Sequence, residues 1–413
     1  MVSTPAYPLV PFWSLAELRN EKTSSRGEIV QLERIESATG KLIDDGELDA
    51  EDGLEDQTDE IAESSSEGKA FQAGDVLFGK LRPYLSKSWL ADEEGAALGD
   101  IHVYRPSEGC DSRFLAYLVL SSGFVGLADA SSSGTKMPRT EWPKIGQFKV
   151  PAPPLPTQRA IADYLDRETA EIDGMRADLD EMERLLEERR VSIIQRHVLP
   201  ENGTYTRIKL VADVSLGKTV QKTQKDASEV LRNYVRAAHI QPHGRLVLDD
   251  QPMWFTPNEL KQLTLEAGDV LVVEGGAGYG RSVYLREELP GWGFQNHVIR
   301  VRPWAGASGR FIDYTIRAHY GAGLIDILAD GATIPGLSSD KARELPILNL
   351  SYTEQRRIAD EIDRETAEID SMVEDITRLR DLLVERRAAV ISAAVTGQID
   401  IPVSPTHKDE PHA

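Results

Sequence analysis

Apolar residues recur at spacings of three, four, three and four along two stretches of this chain. The first carries Ile172, Met175, Leu179, Met182 and Leu186, the second Ile369, Met372, Ile376, Leu379 and Leu383. This is the a/d seam of a heptad repeat, and the positions between are mostly charged. So narrow a stripe buries poorly against a sheet but well against one similar helix. Ile193 and Val390 extend each seam by one heptad. Thr157 and Thr353 are placed to cap the two helices, and Pro200 and Gly397 to end them. The pattern predicts rods of about 42 residues, on the order of 60 Å at 1.5 Å per residue. Gly174 weakens the first of them locally by roughly 1 kcal/mol.

The two stretches are copies. IADYLDRETAEID at 161–173 returns as IADEIDRETAEID at 358–370, identical at eleven of thirteen positions at an offset of 197. The same offset aligns Gln158 with Gln355, Glu188-Arg189-Arg190 with Glu385-Arg386-Arg387, Arg105-Pro106 with Arg302-Pro303, and Phe114 and Tyr117 with Phe311 and Tyr314. It also aligns Gly134 with Gly331 and Pro138 with Pro335. Farther upstream, Gly74-Asp75-Val76-Leu77 matches Gly268-Asp269-Val270-Leu271 at an offset of 194. The whole unit is therefore duplicated, not a helix alone. Before each helix, the Gly-Asp turn followed by an apolar run reads as a strand, and FLAYLVLSSGFV and FIDYTIRAHYGA read as short helices behind a sheet. The expectation is a mixed α/β (α+β) chain with a pseudo-two-fold internal repeat. Globular domains at 1–153 and 201–349 alternate with helices at 154–200 and 350–400, and a tail follows at 401–413. Two such helices on one chain are expected to pair as an antiparallel coiled coil and so put the globular domains at its opposite ends.

The net charge of −21 argues at first against nucleic acid. Its distribution changes that reading. Twelve acidic residues and no basic one lie between Asp44 and Glu67, which reads as a solvated insert, with a DNA mimic as the sharper alternative. The first 153 residues hold 15 basic and 26 acidic residues, and residues 201–349 hold 17 of each. Each globular part is thus near neutral outside the insert, which leaves room for a local basic patch. A single cysteine, Cys110, excludes a disulfide framework and a cysteine-rich zinc site, and fits a reducing cytoplasm. No signal peptide and no membrane-length apolar run is read in the chain.

Catalytic signatures are missing. Gly275–Gly280 resembles a glycine-rich phosphate loop, but Arg281 stands where the last glycine should be. Gly217-Lys218-Thr219 resembles the end of a phosphate loop, but its upstream glycine position is Ala212. The eight histidines show no ligand spacing on one helix, so no metal site is expected. Neither a Gly-x-Ser-x-Gly elbow nor an Asn-Pro-Pro-Tyr or Asp-Pro-Pro-Tyr run is present.

Pro154-Leu155-Pro156-Thr157-Gln158-Arg159-Ala160-Ile161-Ala162, Asp166, Glu168-Thr169, Ile172-Asp173 and Glu188-Arg189-Arg190 resemble the helical region of specificity subunits of type I restriction–modification systems. The ending Ala394-Val395-Thr396-Gly397-Gln398-Ile399-Asp400 is similar to that family's ending, and FGKLRPY at 78–84 and Gly134–Pro138 resemble pieces of its target-recognition domains. The second domain departs from FGKLRPY, with Val273-Glu274-Gly275-Gly276 instead. The resemblance implies a non-catalytic, cytoplasmic, DNA-binding subunit. Each globular domain would read one half of a bipartite site in double-stranded DNA, and the helices would space the halves and dock two methylation subunits, to which restriction subunits add. S-adenosylmethionine, ATP and magnesium would belong to those partners, with no cofactor in this chain. The residues chosen for DNA contact are Lys80, Arg82, Tyr84, Lys87, Lys136 and Arg139 in the first domain. In the second they are Lys218, Lys222, Lys225, Arg245, Tyr279 and Arg281, with Arg82 and Arg281 as base readers. The alternative of another class is a coiled-coil scaffold whose globular domains bind protein.

Overall fold

The computed structural model describes residues 6–23, 28–43, 68–276, 278–329 and 336–402. The acidic run at 44–67, Gly331, Pro335 and the tail from 403 lie outside the described residues. The chain divides into two compact units, Met1–Leu179 with Thr377–Ala413, and Asp180–Ile376. The division runs through both long helices, Leu155–Val198 and Tyr352–Val395. Each unit therefore owns half of each helix.

In the first unit, four antiparallel strands lie in the order Ala16–Arg19, Ile101–Pro106, Val76–Gly79, Ser88–Leu90. Val76 pairs with Tyr104 and Leu77 with Val103. The turn before Val76 needs Gly74 at φ +89°, a conformation that costs glycine little. Asp75 then accepts from the Arg105 guanidinium at 2.9 and 2.7 Å and ties the central strands together. The helices Ser112–Leu120 and Ser122–Ser131 cover one face. Their Phe114, Leu118 and Phe124 share a core with Phe12, Phe78 and Tyr104, and with Ile161, Leu165, Ile391 and Val395 of the long helices. A second sheet, in the order Lys22–Thr23, Gly68–Phe71, Gly95–Ala97, Glu28–Val30, carries the other face.

The second unit repeats this order with Ala212–Leu216, Val298–Pro303, Val270–Val273 and Ser282–Tyr284. Val270 pairs with Val301, the equivalent of Val76 with Tyr104. Gly268 has φ +102°, and Arg302 grips Asp269 at 2.7 Å from both nitrogens. The core is richer in aliphatic residues than the first, with Phe311 in the place of Phe114. Val270, Val272, Ile312 and Ile316 pack with Ile194, Val198, Ile358 and Ile362.

Within each unit the helix halves run antiparallel. In the second, Arg190 pairs with Asp370 at 2.6 Å and, farther along, Arg196 with Glu365 at 2.5 Å. In the first, Asp173 pairs with Arg387 at 2.7 Å, while Ile161 and Leu165 share a core with Ile391 and Val395. The seam is uneven. Ile172, Leu186, Ile369 and Ile376 are buried and Met175, Leu179 and Leu383 half-buried, but Met182, Met372 and Leu379 are exposed. The heptad pattern overstated burial there, because tight packing is concentrated where the helices also carry a globular body.

The caps also differ from expectation. The second long helix is capped by Ser351, whose hydroxyl accepts from the Glu354 amide while Glu354 accepts from the Ser351 amide, a capping box. Thr353 lies inside that helix, and Thr157 lies inside the first, which already starts at Leu155. The helix runs straight through Gly174.

Candidate nucleic-acid interface

Two loops meet at one edge of the central sheet in each unit, and the backbone laces them the same way. In the first unit, the Lys80 amide donates to the Asp100 carbonyl, Thr140 donates to Lys80, and Arg82 donates to Pro138, each at 2.8–3.0 Å. Leu81 and Arg139 form an isolated bridge. In the second, Glu274 donates to His297, Leu337 donates to Glu274, and Gly275 bridges Gly336. Every position maps onto its counterpart by the repeat. One side-chain pair changes chemistry. Lys80 lies 3.5 Å from Asp100, whereas Glu274 lies 3.7 Å from His297. The duplication preserves the lacing and moves the carboxylate from one side of the pair to the other.

Gly276, at φ +83°, stands where the first unit has Arg82 at φ +48°. A side chain in this left-handed region costs on the order of 1 kcal/mol. Arg82 is exposed and, among the described residues, has no ion-pair partner. Tyr84 follows in the turn Pro83–Leu85 and is 53% exposed. Across the lacing, Gly134–Pro138 forms a loop closed by reciprocal amide bonds between Ser133 and Arg139 at 2.9 and 3.0 Å. Lys136 and Met137 lie on that loop, both exposed.

The other cations chosen in the first unit hold the fold. Lys87 donates to the Leu32 carbonyl at 2.9 Å, and burial pushes its ammonium down from the usual lysine range. Arg139 donates to both oxygens of Asp100 at 2.7–3.0 Å, and that hydrogen bond holds the Asp100 carboxyl below its ordinary value. Lys80 is mostly buried between Asp100 and Glu141. These are corrections: the sequence places Lys80 and Lys87 on a loop after the strand and Arg139 on a second loop, whereas the structure engages all three in bonds within the fold. The strand of the FGKLRPY run ends only at Gly79, so the next residues are still stitched to the sheet edge.

In the second unit Lys218 is likewise structural, 2.6 Å from Glu259 and over the Phe255 ring. Tyr279 donates to Asp326, a bond that raises the phenol above its ordinary value. Lys222, Lys225 and Arg245 are exposed and Arg281 half-buried, all four cations without an ion pair among the described residues. Sequence reasoning missed Arg286, exposed and likewise unpaired, just past the strand Ser282–Tyr284. It also missed Asp100 and His297. The repeat itself held that signal, since each sits 197 from the other and one member of each facing pair is a carboxylate.

Each body is bolted to its long helix by the same set of bonds. Arg113 donates to Asp166 at 2.6 Å and Tyr117 to the same carboxylate at 2.7 Å. Arg310 donates to Asp363 at 2.6 Å, and Tyr314 donates there too. Gln158 accepts from the Asp111 amide and Gln355 from the Ser308 amide, each at 2.8 Å. The motif residues of the helices thus orient the loop-bearing sheets. Among the described residues no cluster of side chains suits a metal ion, and no single helix is long and apolar enough to cross a membrane.

Residues 39–184 match the type I restriction modification DNA specificity domain. The chain is 32% identical over 91 residues to the EcoDI specificity subunit of a type I restriction enzyme from Escherichia coli, a match covering 22% of this chain and 20% of that one. It is 21% identical over 318 residues to the StySPI specificity subunit from Salmonella potsdam, covering 71% and 67%. A chain solved in work on complex assembly and conformational transition of the type I R-M system shares the fold, with a TM-score of 0.67 at 18% identity over 97% of this chain and 100% of that one. The matched domain and both curated relatives are specificity subunits of type I restriction systems, the solved chain shares the fold, and the match to the more identical relative spans about a fifth of that relative's length.

Proposed function

We propose that this protein selects the DNA site for a type I restriction–modification complex, each unit reading one half of a bipartite sequence. One observation carries the reading. In both units the repeat builds the same laced loop pair, and unpaired cations stand on it: Arg82 and Lys136 in the first unit, Arg281 in the second. Phosphate contacts would set register, and arginines would read base edges. The chain does no chemistry in this reading. S-adenosylmethionine, ATP and magnesium belong to methylation and restriction subunits that assemble with it in the cytoplasm.

Tethering two modest binders makes the second contact intramolecular and raises affinity without new contacts. The helices supply the tether and set the unread spacer. They also carry a duplicated apolar patch, Met182 with Leu185 and, 197 residues on, Leu379 with Leu382, all four exposed. A patch copied by the repeat suits two copies of one partner, here the two methylation subunits. The same patch suits a protein scaffold, and salt separates the two readings. DNA affinity of the assembled complex should fall steeply with ionic strength, with a linear log–log slope. Mapping methylated adenines in cells carrying the full complex would give the two half-sites. A complex that binds no duplex, or methylates without sequence preference, overturns the proposal.

A further inference from the structure

The loop pair of the first unit presents two apolar side chains beside its two unpaired cations. Tyr84 is 53% exposed and Met137 is 50% exposed. Neither sits on a floppy loop. Tyr84 lies in a turn bounded by two left-handed residues, Arg82 at φ +48° and Ser86 at φ +52°, with Leu85 donating to the Arg82 carbonyl and Ser86 to the Pro83 carbonyl at 2.9 Å. Met137 lies in the loop closed by Ser133 and Arg139, and Asp100 grips Arg139 from below. The Arg82 amide bonds Pro138 at 2.8 Å, which brings the two turns side by side. Holding apolar groups rigidly in water gains the folded chain nothing. It lowers the ordering cost of binding.

The second unit does not repeat the tyrosine: the repeat puts Gly278 where the first unit has Tyr84, and the counterpart of Met137, Ile334, lies outside the described residues.

We infer that Tyr84 and Met137 of the first unit recognise a thymine in its half-site through the C5-methyl group in the major groove. The inference rests on the DNA-reading function proposed above. Charge complementarity selects the occupant, because Arg82 and Lys136 flank the apolar pair and suit phosphates and base-edge acceptors. The thymine methyl is the apolar feature that a duplex offers in that groove.

The test uses the full chain assembled with its methylation subunits, and duplexes bearing the mapped site. Each thymine of both half-sites is replaced in turn by deoxyuridine, which removes the methyl alone. One replacement, in one half-site, weakens binding about fourfold, the worth of one buried methyl group. Tyr84→Ala and Met137→Ala each shrink that thymine-over-uracil ratio towards one and keep the wild-type salt slope. Both side chains are half exposed, so their removal leaves the core filled, and an unchanged melting temperature verifies this. Salt-sensitive binding that is indifferent to uracil everywhere overturns the inference and leaves the DNA reading standing. So does a ratio that survives unchanged in both variants. Failure to bind any duplex overturns both.

Discussion

Arg387 donates to Asp173 at 2.7 Å across the paired helices of the first unit, and its other terminal nitrogen donates to the Thr39 carbonyl at 2.7 Å. One guanidinium thus joins both long helices and the globular body. The second unit has the equivalent pair, Arg190 with Asp370 at 2.6 Å. The Glu-Arg-Arg and Ile-Asp motifs of the repeat are the two halves of this clamp.

The two clamps should not be worth the same. Asp173 is 20% exposed beside a 7% exposed Arg387, whereas Asp370 is 58% exposed beside a 9% exposed Arg190. Arg387→Ala strands a half-buried carboxylate, with Lys41 at 2.9 Å its one remaining ion-pair partner among the described residues, and should cost about 3 kcal/mol. Arg190→Ala leaves its carboxylate to water and should cost about 1 kcal/mol. Urea unfolding of the two variants measures the difference. Equal losses would show that the partner's burial does not set the energy.

In the proposed reading, Arg82 gives up stability for DNA contact. At φ +48° it occupies the conformation for which the second unit uses Gly276. Arg82→Gly should therefore raise stability by up to about 1 kcal/mol and at the same time relax sequence preference at one position of one half-site. Thermal unfolding and methylome mapping of the same variant supply the two readouts. Loss of both stability and specificity would mean that the arginine holds the loop instead of reading the duplex.

Cations that look alike in sequence should behave differently. Lys136 is exposed and without an ion pair among the described residues, so Lys136→Ala should lower the salt slope of DNA binding by about 1 and leave stability alone. Arg139 is engaged by Asp100, so Arg139→Ala should reduce stability and leave that carboxylate to Lys80 alone among the described residues. Binding isotherms from 50 to about 300 mM salt, paired with melting curves, separate the two.

How far the sequence could be read follows from these residues. The repeat, the strand after each Gly-Asp turn and the helix periodicity were legible, because burial on one face imposes a period that survives in the residues. The helix ends and the exposed middle of the seam were not. A heptad says which face is apolar, not how closely a partner approaches, and Met182 and Leu379 keep the pattern while facing water. The DNA-contact choices divided for a related reason. Lys80, Lys87, Arg139 and Lys218 are ordinary surface cations by type, and what pairs them is a distant acid or carbonyl: Asp100, Leu32 or Glu259. Only the duplication hinted at such partners, through the exchanged carboxylate of Lys80–Asp100 and Glu274–His297.

His102 should make the first unit acid-sensitive. It lies buried on the central strand Ile101–Pro106, its Nδ1 3.0 Å from the Tyr104 hydroxyl. Burial first, and then Lys69 and Lys80, hold its pKa down to about 3. The unfolded chain, with an ordinary histidine near 6.5, binds the proton more readily than the folded one between those values. Stability is therefore full above about pH 6.5 and falls as the pH drops towards 3. From pH 7 to pH 5 this one group should remove about 2 kcal/mol. His102→Gln replaces it with a group that cannot titrate. The variant should be less stable at pH 7, through its poorer fit beside Tyr104, but should lose about 2 kcal/mol less than the wild type on acidification to pH 5. His239 and His319 of the second unit are also held low by burial, and they move stability in the same sense in both proteins, so the comparison cancels them. Urea titrations of both proteins at the two pH values decide the matter. An identical pH dependence in wild type and variant would mean that folding leaves the affinity of this imidazole for protons unchanged.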